Sequence, residues 1–290
     1  MRDDAGVSDE AVTSVGQVRR RPRLIATDLD GTLLRDDKSL SARTVAALAA
    51  AAEAGIQVCF VTGRPARWMD VVSAHVHGHG LAICANGASV VDLRRGETVE
   101  IHPLPDDDAL AVVGSLRALA PGVSFAVERT GGIHYEPQYP PFHLDPAATV
   151  APVEKLLSRE SGHTDQPVLK LLAHHTDLAP DEFLGLARTG ADPRGEFTRS
   201  SPSALLEISA LGVSKASTLA RWCAARGITP AEVIAFGDMP NDLGMLTWAG
   251  TSYAMANAHP DVLTATTART ASNDEDGVAA VIERLLEDTP

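Results

Sequence analysis

The stretch "IATDLDGTLL", residues 25–34, decides the fold. An apolar run suited to a buried strand ends in two aspartates, Asp28 and Asp30, one residue apart. In an extended segment alternate side chains share a face, so both carboxylates point one way while Leu29 enters the core. Gly31 then permits a sharp departure from the strand. A lone strand end of this kind reads as a capping Asp beside a turn Asp. Its meaning depends on what the rest of the chain brings to the same place.

From Leu24 onward short apolar runs alternate with helical segments, the signature of a parallel sheet covered on both faces. Strands are expected at 24–29, 56–61, 81–84, 233–236 and 251–255. The first two are joined by the helix of "SARTVAALAAAAEAG", with Ser41 as N-cap and Gly55 as its left-handed stop. A second such helix runs from about Ser214 to Arg226 before Gly227, and the last from about Gly277 to Leu286. Between Asp92 and about Ala210 the rhythm changes to Pro- and Gly-rich stretches ("EPQYPPFHLDP") and short strands ("VLKLLAHH", "ALLEIS"). The expected fold is therefore α/β, a Rossmann-like core of residues 23–92 and 211–290 with an α+β cap, 93–210, inserted into it. Residues 1–22 read as a mobile tail.

With 290 residues, 44% of them hydrophobic, the chain can bury a substantial core. Its net charge of −13 argues against nucleic acid as a partner, because phosphate backbones are gripped by clustered Lys and Arg. No apolar run reaches the length of a membrane span and the N-terminal stretch lacks the apolar centre of a secretory signal, so the cytoplasm is the expected location. Cys59, Cys84 and Cys223 form no CxxC pair, and Cys59 and Cys84 read as inert buried thiols.

The paired aspartates have company. The second strand ends in "FVTGR", which places Thr62 at its tip with Gly63 and Arg64 behind it, a hydroxyl and backbone N–H groups suited to an anion. A later strand, "VIAFGDMPND", delivers Asp238, Asn241 and Asp242, and Lys215 opens the helix before it. Ligands of open parallel sheets bind beyond the carboxyl ends of the strands, where these residues would converge. Two unit charges about 4 Å apart repel by about 4 kcal/mol at an effective dielectric of about 20, so four carboxylates need a cation. Oxygen donors without Cys or His favour a hard divalent ion, and Mg²⁺ commonly takes a few carboxylates while keeping positions for water and phosphate.

In this order "DLDGT", "VTGR", Lys215 and "GDMPND" resemble the four motifs of the haloacid dehalogenase-like superfamily, with the inserted segment where members with a type C2 cap carry theirs. "CANGASV" (84–90), "LLEISALGVSKASTLA" (205–220) and the segment 254–286 resemble its Cof-type subfamily. Ala216 departs from the pattern, which has Gly after the lysine. The resemblance implies that Asp28 is a nucleophile forming an aspartyl-phosphate and that Asp30 is the proton carrier. It implies that Mg²⁺ is held by the Asp28 carboxylate, the Asp30 backbone carbonyl and Asp238, with Asp242 behind them or bound through water. Thr62, Lys215 and Asn241 would hold the phosphoryl oxygens and Asp28.

Gly63, Arg64 and Asn86 are further candidates on the substrate side, though Arg64 could equally pin the helix that follows it. "HVHGHG" (His75, His77, His79) reads as a surface loop rather than a metal site, since neither carboxylate nor Cys accompanies it. "DDD" at 106–108 reads as the acidic first turn of a cap helix, and "TGGIHYEPQY" (130–139) as a loop facing a polar leaving group. Trp68, Trp222 and Trp248 read as packing. The expected activity is a Mg²⁺-dependent phosphatase for a small phosphorylated metabolite, with a sugar phosphate favoured. A phosphosugar mutase and a non-catalytic phosphometabolite-binding protein are the alternatives.

Overall fold

The computed structural model describes residues 22–75, 80–140, 142, 145–201 and 203–287. His77, His79 and all but the last residue of the expected tail lie outside the described residues. Along the chain the elements are β1 (Leu24–Thr27), α1 (Ala42–Glu53), β2 (Gln57–Val61), α2 (Asp70–Ser73), β3 (Leu81–Cys84), β4 (Ser89–Asp92) and β5 (Glu97–Ile101). There follow α3 (Asp106–Leu119), β6 (Ser124–Arg129), β7 (Gly132–Tyr135), α4 (Val153–Leu156), β8 (Val168–His174), α5 (Pro180–Gly190), β9 (Gly195–Thr198) and β10 (Leu205–Ala210). The chain closes with α6 (Lys215–Ala224), β11 (Val233–Gly237), α7 (Leu243–Trp248), β12 (Thr251–Ala254), α8 (Pro260–Ala265), β13 (Ala268–Arg269) and α9 (Gly277–Glu287).

One sheet has the order β13-β12-β11-β1-β2-β3-β4-β5, parallel from β13 through β3 and antiparallel beyond. From β1 the chain winds outward one way through β2 and β3 and later returns to wind the other way through β11 and β12. The crevice at the carboxyl end of β1 is thus a topological switch point. The strands are near-continuous apolar runs because helices cover both faces: Leu24, Ile25, Ala26, Phe60 and Phe236 are fully buried. α1 forms where the sequence places it, with the Ser41 hydroxyl accepting from Thr44 N–H at 3.0 Å and Thr44, Ala47, Leu48 and Ala51 making its buried face. Ala216 fits because α7 presents Gly244 to it; a methyl on Gly244 would come within 3.1 Å of Ala216 Cβ.

β1 ends two residues before the expected boundary at residue 29. The sheet also runs past residue 92, where the insertion is expected to begin: β5 pairs with β4 as an exposed edge strand.

The second sheet, β7-β6-β8-β10-β9, is antiparallel. Period-two alternation splits it into two faces. Phe125, Val127, Leu171, Ala173, Leu206 and Ile208 pack with residues of α3 and α5 in one cluster. On the other face Ala126, Glu128, Ile133, Lys170, Leu172 and Glu207 turn toward the first sheet. The three charged residues there are buried, with exposures of 2% for Glu128, 5% for Lys170 and 6% for Glu207. Buried charges need partners: Lys170 and Glu207 pair with each other, and Arg67, the Gly63 carbonyl and the Asn86 amide add partners from across the boundary.

Candidate active site

Asp28 leaves β1 with its N–H still bonded to Phe236 O and its side chain in the crevice, 5% exposed. Gly31 sits at φ +76°, and a methyl there would lie 2.3 Å from Asp238 Oδ2, so only glycine lets the β1 turn pass the aspartate beyond β11. Lys215, the first residue of α6, is brought in by the Ser214 cap and is 1% exposed. Its ammonium donates at 2.7 Å to both Asp28 Oδ1 and Asp242 Oδ1. The other oxygen of Asp242 accepts the backbone N–H groups of Asp238 and Met239, each at 3.1 Å. Asp238 Oδ1 accepts from the Thr32 hydroxyl at 2.7 Å.

Asp28, Asp238 and Asp242 are all buried, with one oxygen from each lying within 4.8 Å of the others. Three carboxylates face one ammonium. Burial, with Asp242 and Asp238 adding repulsion that Lys215 does not cancel, raises the Asp28 carboxyl well above its usual range. Burial and Asp242 push Asp238 up to about 7. Burial works against the Lys215 ammonium, but Asp242 and Asp28 outweigh it and hold the group charged beyond the ordinary lysine range. The cluster suits a hard divalent cation: all-oxygen donors, excess negative charge and an aspartate, Asp238, with no cationic partner in hydrogen-bond reach among the described residues.

The side chain of Asp30 is not in that cluster. It turns outward to accept Arg64 Nε at 2.6 Å and Nη2 at 2.7 Å, with Lys38 Nζ 3.0 Å away. Burial alone would raise its pKa, yet Arg64 and Lys38 together hold it below the usual carboxylate range. Arg64 therefore spends its fork on the neighbouring carboxylate. Lys38, on the β1–α1 loop, carries no motif that marked it in the sequence.

Thr62 is buried at the end of β2, its hydroxyl accepting Arg64 N–H at 3.1 Å. Behind it the turn after β3 holds two successive non-glycine residues at positive φ, Ala85 at +50° and Asn86 at +56°. Such backbone costs about 1–3 kcal/mol per residue and persists where surrounding bonds over-determine it. Here Ala85 N–H donates to Arg64 O, Asn86 N–H to Thr62 O, and the Thr218 hydroxyl to Gly87 O. The Asn86 side chain is buried behind the cleft, accepting from Asn241 Nδ2 at 3.2 Å and donating to Glu207.

Above the aspartates lies a cleft of about 740 Å³, walled on the core side by Lys38, Gly63, Arg64 and Trp68 and on the cap side by Tyr135, Tyr139 and Phe142. Trp68, expected to be packing, is part of this wall. Of the stretch 130–139, Ile133, Tyr135 and Tyr139 reach the cleft, whereas His134 turns away and stacks on His163 at 3.9 Å. Glu128, Lys170 and Glu207 also line it, none of them among the candidates expected from the sequence. The three cysteines are buried and unpaired, and no helix among the described residues is long and apolar enough to cross a membrane.

Known proteins resemble this chain over most of its length. Residues 25–282 match the haloacid dehalogenase-like hydrolase model. The chain is 31% identical over 276 residues to the pyridoxal phosphate phosphatase YbhA of Escherichia coli (strain K12), covering 90% of this chain and 97% of that one. It is 29% identical over 269 residues to the 5-amino-6-(5-phospho-D-ribitylamino)uracil phosphatase YitU of Bacillus subtilis (strain 168), covering 92% and 98%. The crystal structure of a haloacid dehalogenase-like hydrolase from Bacteroides thetaiotaomicron superposes with a TM-score of 0.69 at 28% identity, covering 91% of this chain and all of that one.

Proposed function

This chain belongs to the haloacid dehalogenase-like hydrolase family, and on that footing we propose that it is a Mg²⁺-dependent phosphatase acting on a small phosphorylated metabolite through an aspartyl-phosphate on Asp28. The observation that carries the reading is the placement of Asp28: a buried carboxylate at the sheet's switch point, bonded through one oxygen to Lys215, under a cleft roofed by the cap.

Asp28 attacks phosphorus and the bond to the leaving oxygen breaks as the aspartyl-phosphate forms. Asp30 supplies the proton that the leaving oxygen needs, then removes one from the water that attacks phosphorus and frees Asp28. Because Arg64 and Lys38 hold the Asp30 carboxyl below its usual range, Asp30 must leave both and take up a proton before it can give one to the leaving oxygen. Lys215 and the Thr62 hydroxyl, with the Asn241 amide, hold the phosphoryl oxygens as charge spreads over them. Asp28 and Asp238, with the Asp30 carbonyl, would hold Mg²⁺, while Asp242, its oxygens taken by Lys215 and two N–H groups, keeps the others in place. When bound, the ion neutralises the carboxylates and the oxygens of the transferring phosphoryl group.

For the leaving group, a sugar phosphate is supported by the hydroxyls of Ser200, Ser201 and Ser203 on the cleft. A phosphorylated aromatic heterocycle is the second reading, favoured by the facing wall of Trp68, Tyr135, Tyr139 and Phe142 and by the names of the two similar phosphatases. A panel of both classes, assayed for released phosphate with Mg²⁺ and with chelator, tests the proposal. Phosphate release that chelator abolishes supports it, and the larger kcat/KM picks the class. Isomer without free phosphate would establish a mutase, and no turnover of any compound a binding protein.

A further inference from the structure

The cap's buried charges do more than close a lid. Lys170 on β8 and Glu207 on β10 form an ion pair of 3.0 Å, and each also reaches across to the core. Lys170 Nζ donates to Gly63 O at 2.8 Å, the carbonyl next to Thr62. Glu207 Oε2 accepts the Asn86 amide, whose oxygen accepts Asn241 Nδ2 at 3.2 Å, while Asn86 N–H holds Thr62 O at 3.0 Å. The contact is close-packed: a methyl on Gly63 would meet Asn86 Oδ1 and Glu207 Oε2, each at 3.3 Å. Thr62 and Asn241, the neutral side chains assigned to the phosphoryl group, are thus tied through Asn86 and Gly63 to one pair of charges on the cap.

We propose that Lys170 and Glu207 are positioning residues for phosphate. The seated cap completes the phosphoryl pocket by fixing the Gly63 carbonyl and the Asn86 amide, so cap seating and assembly of the anion site are one event. This rests on the phosphatase reading of the site. A cap that only shields or selects the leaving group would need no bonds to the backbone beside Thr62 or to the partner of Asn241. A buried pair on neighbouring strands also leaves an uncompensated charge when either member is lost, which makes the arrangement all-or-none.

Inorganic phosphate, which offers the cap no leaving group, is the discriminating probe. Its binding to the full chain with Mg²⁺, by calorimetry and as inhibition of p-nitrophenyl phosphate hydrolysis, is compared in Glu207→Gln, Lys170→Met and the double variant. The single variants are expected to weaken phosphate binding and lower kcat/KM about tenfold each. In an Asn241→Ala background Glu207→Gln is expected to add less than about twofold, because the two act through one chain of bonds. Unchanged phosphate affinity in folded variants, or multiplicative losses with Asn241→Ala, would overturn the proposal. Should a single variant not fold, the Lys170→Met/Glu207→Gln protein removes both charges together and carries the same comparison. Failure of the phosphatase reading would show separately, as wild-type protein that releases no phosphate while calorimetry still reads the effect of the pair.

Discussion

The ammonium of Lys215 lies 2.7 Å from Asp28 Oδ1, with both side chains buried, and the same nitrogen holds Asp242 at 2.7 Å. One cation thus restrains the candidate nucleophile and the residue that orients the loop after β11. Replacing it by Lys215→Met removes the only ammonium in contact with these carboxylates among the described residues. Breaking a buried charge pair on one side costs about 3–5 kcal/mol. The variant should unfold at lower urea than wild type in the presence of chelator and lose phosphatase turnover by at least about a hundredfold.

Asp30 stands two residues from Asp28 yet bonds Arg64 and Lys38. If it serves as proton carrier, Asp30→Asn should still allow Asp28 to be phosphorylated by p-nitrophenyl phosphate, whose leaving group needs no proton. Hydrolysis of the aspartyl-phosphate should then stall. Rapid mixing should show a burst near one equivalent of p-nitrophenol, with steady turnover slowed by about 10²–10⁴. Steady-state turnover at the wild-type rate would remove Asp30 from that role.

Asp238, pushed up to about 7 by burial and by Asp242, must shed a proton to take a cation. Mg²⁺ affinity should therefore climb with pH up to and through about 7 and level off above about 8. Proton release on binding, read from calorimetry in buffers of different ionisation enthalpy, should fade over the same range. In Asp238→Asn the Mg²⁺ concentration for half-maximal activity should rise at least about tenfold. A pH-independent affinity would contradict this assignment.

The cap should be acid-sensitive through His134. Its Nδ1 accepts the Thr149 N–H at 3.0 Å, and burial, with His163 stacked beside it, lowers its pKa to about 4. Between about 4 and 6.5 the unfolded chain takes up a proton that the folded cap refuses, so stability present above 6.5 is lost as pH falls through that window. Urea midpoints of wild type should decline from pH 7 to pH 4.5, and His134→Gln, which keeps an acceptor but does not titrate, should flatten the decline.

Much of the crevice was legible because its residues carry local signals. Asp28, Thr62 and Asp238 each stand where an apolar run stops, and Lys215 follows the Ser214 cap of a helix. Strand period and helix capping place such residues without reference to anything distant. β5 was missed because "ETVEI" is exposed along its whole length, and its place comes from pairing with β4 rather than from burial. Glu128, Lys170 and Glu207 were missed for the opposite reason. A strand with one apolar and one mixed face reads as half-solvated, whereas these charges lie buried against Arg67, Gly63 and Asn86 of the core.

The sequence by itself determined the core strands and helices that carry their own period and caps, and hence which side chains stand at the switch point, but not the edge strand β5 or the early end of β1. Tertiary structure alone decided which partner each buried charge meets. Lys215 with Asp28, Glu207 with Asn86 and Lys170 with Gly63 are separated by 187, 121 and 107 residues. The physical reason is that period and capping are properties of a few neighbouring residues, whereas the partner of a buried charge is set by whatever the packed chain brings within about 3 Å of it.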